Sequence, residues 1–321
     1  MANSNYNEIA ATTIELRSKK LADNVTQNTA LLFRLKEKGR IRPWSGGRKI
    51  VEELYYAENS TFQWYNGYDQ VNVSPSDVIS AAEYSLKQCA VAVTISGEEM
   101  LQNTGEEAFI DLLEARIENA EATMTNKMSV GVYSDGTGDG GKQLGGLQLI
   151  VADTNTNTVG GISGSTYSFW RNNVYDFSDL SITPSSTTIQ AAMNSMWLDC
   201  VRGTDRPDLI VADDTYFGYY WASLQSIQRI TDAKLGQAGF QTLKFMDADV
   251  VYDGGYGGDC PSSHMYFLNT KHLSLRPHKD RNMKQIGGDR APVNQDAIVK
   301  LIGWAGALTC RCRFLQGVIK A

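Results

Sequence analysis

The sequence predicts an α+β fold. Strand patterns stand both before and after the helical ones, without the steady strand–helix alternation of a doubly wound sheet. A single helical pattern of about thirty residues runs through the first half, long for a globular helix. A limb of alternating β-branched and aromatic residues precedes it, too thin to carry a core of its own. The chain has 321 residues, 42% hydrophobic and 21% charged, so it is long enough for a sizeable core and about two domains.

The elements follow in order. Residues 24–38, NVTQNTALLFRLKEK, predict a short helix capped by Asn24, with Val25, Leu31, Leu32 and Leu35 as its stripe and Gly39 as its end. Arg40 to Arg48, with Pro43 and Gly46-Gly47, predicts a linker. GRKIVEELYYAE (47–58) and AEYSLKQCAVAVTIS (82–96) both have strand periodicity. Between them Asn66-Gly67 is a tight-turn signal, so the whole is expected to be one long two-stranded arm folded back near Asn66. Its tip carries Phe62, Trp64, Tyr65 and Tyr68. An isolated ribbon is barely stable, so it must lie on something else. Burying four such rings is worth roughly 6–12 kcal/mol at about 1.5–3 each. That is comparable with the cost of one association event, so one contact is marginal and a lattice of contacts is not.

Ser96-x-x-Glu99 and Thr104-x-x-Glu107 read as successive capping boxes. From the second, Phe109, Leu113, Ile117, Ala120, Met124 and Met128 recur on one helical face. The helix is expected to run to about Tyr133, a rod of roughly 45 Å. Its other face is acidic (Asp111, Glu114, Glu118, Glu121), as solvation requires. After a glycine cluster, LQLIVAD predicts a strand, and a polar stretch follows to about Ser186. Thr187-x-x-Gln190 predicts the start of a helix carrying Ile189, Met193, Met196, Trp197 and Cys200, stopped by Gly203. PDLIVAD (207–213) predicts a buried strand and residues 214–230 an aromatic-rich helix. Residues 240–253, 264–277 and 297–319 supply further strands, and no internal repeat is present.

Several chemistries are argued against. SDGTGDGGKQLGGL (134–147) places Gly136, Gly141 and Lys142 at phosphate-loop spacing. A working loop follows a strand and opens a helix, whereas this one follows a helix and precedes a strand. Gln143 stands where a magnesium-holding hydroxyl belongs. Glycines that end a helix and turn the chain are the better reading. DGGYGGD (253–259) is a single copy of a calcium fragment that works in tandem, so it is expected to be a flexible loop. Cys310 and Cys312 would share a face on a strand but lack two further ligands, so buried free thiols are expected and no metal. The three histidines form no H-E-x-x-H, and spacing suggests no acid–base pair. Glu52-Glu53 and Glu106-Glu107 are adjacent and so point apart. No catalytic residue and no cofactor are expected. No run of about 18 apolar residues exists. No secretory apolar core stands at the N-terminus, so a cytoplasmic product is expected. The net charge of −6 is uneven: residues 1–49 hold ten Lys/Arg against four acids, residues 50–135 three against fifteen. A basic arm before an acidic body suits nucleic acid or a neighbouring copy.

In this order the chain resembles the major capsid proteins of tailed double-stranded DNA bacteriophages, the Hong Kong 97-type fold. The resemblance rests on the arm, the extended ribbon, the long helix ending in YSDGTGDGGKQLGGL, and the helix–strand–helix SMWLDCVRGTDRPDLIVADDTYFGYYWASL. It covers essentially the whole chain. It implies an N-terminal arm (1–46), an extended loop (47–96), a peripheral domain with the "spine" helix (97–184), an axial domain (185–262) and returning strands (263–321). It implies a self-assembling shell of hexamers and pentamers around DNA bound without sequence specificity, located in the virion and assembled in the host bacterial cytoplasm. Implied contact surfaces are the arm (Arg34, Arg40, Arg42), the tip (Phe62, Trp64, Tyr65, Tyr68) and the acidic face of the helix (Glu114, Glu118, Glu121). Some family members weld subunits through an extended-loop lysine. No lysine stands between Lys49 and Lys87, so no such crosslink is expected. The early start of the ribbon implies a separate scaffolding protein and little trimming of the arm; portal and decoration proteins are further implied partners. The alternatives are a phosphate- or nucleotide-binding enzyme using the Gly136–Lys142 loop and a cargo-enclosing nanocompartment shell.

Overall fold

The computed structural model describes residues 20–21, 24, 29–102, 106–224, 242–253, 259–288 and 296–321. Helix α1 (Ala30–Glu37) buries Ala30, Leu31, Leu32, Arg34 and Leu35. Thr29, not Asn24, precedes it, and its hydroxyl lies 2.6 Å from that of Ser129. Gly39, at φ +65°, turns the chain out of the helix, which only glycine does without strain. Val25 lies outside the described residues. The expected linker is partly a sheet edge: Ile41 bridges Leu275 and Trp44 bridges His278, both in parallel.

Strand β1 (Ile50–Tyr55) pairs antiparallel with β2 (Ile79–Tyr84). The expected partner strand at 82–96 is thus two strands. β3 (Lys87–Ser96) belongs to another sheet, where it pairs with ten residues of β13 (Ala297–Cys310). Helix α2 (Gly97–Gln102) starts with the reciprocal capping box read from the sequence. The Ser96 amide donates to the Glu99 carboxylate at 3.0 Å, and the Glu99 amide to the Ser96 hydroxyl at 3.3 Å. Thr104 of the second box lies outside the described residues. Helix α3 (Glu106–Tyr133) has 28 residues, about 42 Å. Ile117, Ala120, Met124 and Met128 are buried along the expected face, with Val132 one turn further.

The glycine cluster ends this helix, as expected. Asp135 bridges Gly145 and the Gly146 amide donates to the Ser134 carbonyl at 2.9 Å, closing a tight return. A Cβ on Gly146 would lie 2.0 Å from the Val132 carbonyl oxygen, so backbone meets backbone where only glycine fits. LQLIVAD is not a strand: Leu147–Ile150 is a single helical turn. A short buried apolar run does not distinguish the two by periodicity. The polar stretch after it forms a small hairpin, β4 (Thr158–Val159) with β5 (Ile162–Ser163), and is anchored by fully buried Arg313. The Arg313 guanidinium donates to the Ile150 and Trp170 carbonyls and to the Asn157 and Asn172 side chains at 2.7–2.9 Å.

The second half builds a six-stranded sheet in the order β6 (Asn173–Asp176), β14 (Gly317–Lys320), β10 (His264–Leu268), β7 (Leu209–Ala212), β9 (Ala248–Tyr252), β8 (Thr242–Phe245). β7–β9 and β14–β6 are parallel and the rest antiparallel. A second sheet sets β13 between β3 on one side and β11 (Leu273–Pro277) and β12 (Lys284–Gln285) on the other. The segments 264–277 and 297–319 each contribute one strand to each sheet and so tie the two together. Cys310 ends β13 while Cys312 lies beyond it, so they do not share a strand face; all five cysteines are free.

Strand alternation divides the core. Leu209 and Val211 of β7 face a cluster containing α1, α3 and β3 residues. Ile210 and Ala212 face a second cluster with helices α4 (Ile189–Asp199) and α5 (Asp214–Ser223). Asp213 caps α5, accepting from the Tyr216 amide at 2.9 Å. The Thr187–Gln190 capping box does not form. Thr188 occupies the cap position without a side-chain cap bond, and Gln190 instead reaches Ser223 at 3.1 Å. α4 ends at Asp199, four residues before Gly203. Residues 225–241, like most of the glycine loop 253–259, lie outside the described residues.

Candidate interaction surface: the ribbon, its root and its tip

The root of the ribbon is built into the body. β1 alternates strictly, with Ile50, Glu52 and Leu54 inward and Val51, Glu53 and Tyr55 outward. Glu52 is 1% exposed and carries the charge chemistry of the root. The Arg276 guanidinium meets one carboxylate oxygen at 2.8 Å, and the Arg311 Nε donates to the other at 2.6 Å. The Thr309 hydroxyl donates to Oε1 at 3.1 Å. Burial pushes the Glu52 carboxyl up, but the hydrogen bonds and charges of Arg311 and Arg276 outweigh it and hold it below its ordinary value. On β2, Ala82 and Tyr84 face inward. The Tyr84 hydroxyl donates to the Cys310 carbonyl at 2.8 Å and accepts from the Cys310 amide at 3.2 Å. The β4–β5 hairpin supports the outer side of β2: the Glu83 amide donates to the Gly160 carbonyl at 2.8 Å. Lys49 and Glu83 close the root with an exposed ion pair.

Beyond Tyr55 and Ile79 the ladder stops. One more bond, from the Tyr56 amide to the Val78 carbonyl at 3.1 Å, is the last between the two sides of the backbone. The predicted turn is present: the Asp69 amide donates to the Asn66 carbonyl at 2.9 Å, with Gly67 at positive φ. The residues on either side of it are not strands. Phe62, Trp64, Tyr65 and Tyr68 are all exposed, Trp64 at 91%. Phe62 and Trp64 pack edge-to-face at 5.6 Å, and Val71 and Val73 on the same limb are also exposed. Residues 56–78 carry Glu58, Asp69 and Asp77 and no Lys or Arg.

The other sequence-derived surface residues lie elsewhere. Arg34 is committed within its own chain, its guanidinium 2.7 Å from Glu37 and 2.7 Å from Asp249. Arg40 and Arg42 are half-buried beside β11; the Arg42 amide donates to the Leu275 carbonyl at 2.9 Å. Glu114 and Glu118 are exposed and Glu121 half-buried on α3, away from the face that packs on β3. Arg116 ties α3 to the end of β3 by pairing with Glu99 and donating to the Thr94 carbonyl. The structure therefore leaves the four aromatic rings exposed, with Phe62 and Trp64 in contact, and does not bring the arginines or the α3 acids to them. The Glu52 cluster was not found by sequence reading; its only signal was an acid at an inward position of an alternating strand.

Chemical sites are sparse. The Gly136–Lys142 segment opens no helix longer than a single turn, and Asp139 and Gly140 inside that turn have left-handed backbone angles. Among the described residues no group of three or more His, Cys, Asp or Glu is placed to hold a metal ion. Among those residues no helix is long and apolar enough to cross a membrane.

No protein-family model matches the sequence, and no curated protein does. Solved structures do match its fold over nearly the whole chain. The capsid asymmetric unit of cyanophage A-1(L) is similar with a TM-score of 0.66 at 17% identity, covering 88% of this chain and 90% of that one. The capsid of Myoviridae phage XM1 is similar with a TM-score of 0.52 at 13% identity, covering 89% and 91%. The SrpI encapsulin complex of Synechococcus elongatus is similar with a TM-score of 0.50 at 7% identity, covering 89% and 86%. The chain thus has the α+β capsid fold that the Hong Kong 97-type resemblance implies.

Proposed function

We propose that this protein is the major capsid protein of a tailed phage. It assembles through repeated weak contacts into hexamers and pentamers of an icosahedral head that encloses double-stranded DNA. The observation that carries this reading is the pairing of a fixed root with an unsupported tip. Four exposed aromatic rings and flanking exposed valines are carried on a limb whose β-ladder stops at Tyr55 and Ile79. Large contiguous apolar patches mark interaction sites. A second copy of the chain is the occupant that repeats at every position of a lattice. The acidic α3 face and the half-buried Arg40 and Arg42 are further contact candidates. The proposed organisation is an arm (1–46), an extended loop (47–96), a peripheral part (97–184), an axial part (185–262) and returning strands (263–321). DNA contact is general, since among the described residues no basic, aromatic-studded recognition surface is present. A separate scaffolding protein, a portal and a decoration protein are the proposed partners, and the virion is the proposed location.

The test is a sizing column followed by negative-stain microscopy of the purified chain, expressed with and without its neighbouring genes. Uniform particles hundreds of ångströms across support the reading, and a monomer at high concentration in both preparations overturns it. The likeness to the encapsulin favours a second reading, a shell that encloses protein cargo. Nucleic acid or a single protein species inside the particles decides between the two.

A further inference from the structure

His264, the first residue of β10, stands opposite Lys320 of β14. Both ring nitrogens have polar partners. Nδ1 lies 2.7 Å from the Ser262 carbonyl oxygen. Nε2 lies 3.1 Å from each oxygen of the Asp153 carboxylate. A peptide carbonyl and an ionised carboxylate only accept hydrogen bonds, and a neutral imidazole has one N–H to give. Only the doubly protonated ring satisfies both contacts at once. The His264 side chain is 14% exposed and that of Asp153 43%, so the pair sits at the rim of the body with the imidazole inside.

The surroundings fit a charged ring. Like charges directly opposite on paired strands repel, yet His264 and Lys320 each have their own carboxylate: Asp153 for His264, and Asp176 at 2.7 Å for Lys320. Asp213 adds further negative charge near the ring. Tyr266 stacks on it with centroids 5.9 Å apart, and the Cys260 thiol points at the His264 carbonyl at 3.9 Å. Asp179 acts on Lys320 from the loop after β6. Burial disfavours the imidazolium, but the Asp153 carboxylate and Ser262 carbonyl outweigh it and hold His264 above its ordinary value. The His264 hydrogen bond holds Asp153 below its own.

Asp153 has a particular place in the chain. It follows the buried turn Leu147–Ile150 that leaves the glycine return, and it precedes the β4–β5 hairpin that bonds β2 at the ribbon root. We propose that His264 and Asp153 form a proton-operated clamp. The imidazolium ties Asp153 to the six-stranded sheet beside the Arg313 anchor at Ile150 and Asn157, and loss of its proton removes that tie and loosens the stretch around Asp153 that leads into the hairpin.

The sign follows from the two shifts. A raised histidine contributes its full stabilisation below its ordinary 6.5 and loses it as pH rises through the folded value. A depressed Asp153 contributes above its ordinary 3.8 and loses it as pH falls through its folded value. The clamp is therefore closed between the ordinary values of Asp153 and His264 and opens as pH rises through the raised folded value of His264.

The test measures the melting temperature of the full chain, and deuterium uptake of peptides covering 147–163 corrected for intrinsic exchange, from about pH 6 to about pH 9, which spans histidine titration. The wild type is expected to lose melting temperature, and to gain uptake several-fold in 147–163, as pH rises. H264Q and D153N are expected to show neither change while retaining His272 and His278, and to converge with the wild type at the alkaline end. A wild-type step that survives in H264Q overturns the proposal. Should the variants fail to fold, nitrogen-15 spectra of the wild-type histidines decide: His264 with an unprotonated ring nitrogen at about pH 6, below its ordinary value, overturns it equally.

Discussion

The two ends of the ribbon are built on opposite terms. At the root, each inward side chain of β1 and β2 has an intramolecular partner: Glu52 has two arginines and a threonine, and Tyr84 the backbone of Cys310. At the tip, four aromatic rings reach solvent and the hydrogen bonds stay within the limb, such as Asn66 with Asp69 and Gln63 with Gln70. The root is information for the fold of one chain. The tip rings bury little against their own chain, which fits the proposed contact with a second copy.

Breaking the tip tests this most severely. Replacing Phe62, Trp64, Tyr65 and Tyr68 together by Ser removes burial worth roughly 6–12 kcal/mol per fully seated contact. Particle formation by microscopy and light scattering is expected to vanish. The melting temperature of the unassembled subunit should stay nearly constant, because exposed substitutions cost within about 0.5 kcal/mol each. A subunit that unfolds instead would show the tip to be part of its own core.

Breaking the root should reverse the pattern. Glu52→Gln leaves two guanidiniums facing a neutral amide and is expected to cost about 3 kcal/mol in denaturant unfolding. That is the lower end for a broken buried pair, since Arg311 is nearly half exposed. The wild type also has an acid limb to lose. A carboxyl held below its ordinary 4.5 stabilises the fold above that value and stops doing so as pH falls through the folded value. The Gln variant should flatten that part of the profile.

Smaller effects sharpen the contrast. Gly160 has φ +59°, and a Cβ there would lie 2.8 Å from the Ala82 Cβ. Gly160→Ala is expected to cost about 1–3 kcal/mol by overpacking the hairpin against β2, read as a drop in subunit melting temperature. Lys49→Ala removes a pair with both partners about half exposed, and the change should stay under about 1 kcal/mol. A larger loss in Lys49→Ala than in Glu52→Gln would invert the ranking of buried over exposed contacts at the root. Intact particles should also run as a monomer band on a denaturing gel, since residues 50–86 contain no lysine for a covalent weld.

Local signals were legible where one stretch of chain supplied both halves of an interaction. The Ser96–Glu99 capping box, the buried face from Ile117 to Met128, the Asn66-Gly67 turn and the helix-ending glycines are of that kind. So is the opposite facing of Glu52 and Glu53, which follows from a period of two. The failures have a common cause. LQLIVAD has the composition of a strand but sits between a glycine return and Arg313, which takes the Ile150 carbonyl that a ladder would have used. The 82–96 pattern continues through residues that change partner, because Ile79–Tyr84 meets β1 while Lys87–Ser96 meets β13 more than 200 positions away.

By itself the sequence determined periodicity, caps, turns and charge balance, and hence an α+β chain with a long helix and a limb it does not support. These depend on residues a few positions apart, whose geometry the backbone already sets. Only the tertiary structure decided which strands share a sheet, that Arg34 turns inward to Asp249, that Arg276 and Arg311 converge on Glu52, and that His264 meets Asp153 across 111 residues. A charged side chain does not specify its distant partner; the pairing is fixed when packing brings two segments together and burial makes an unpaired charge too costly to leave.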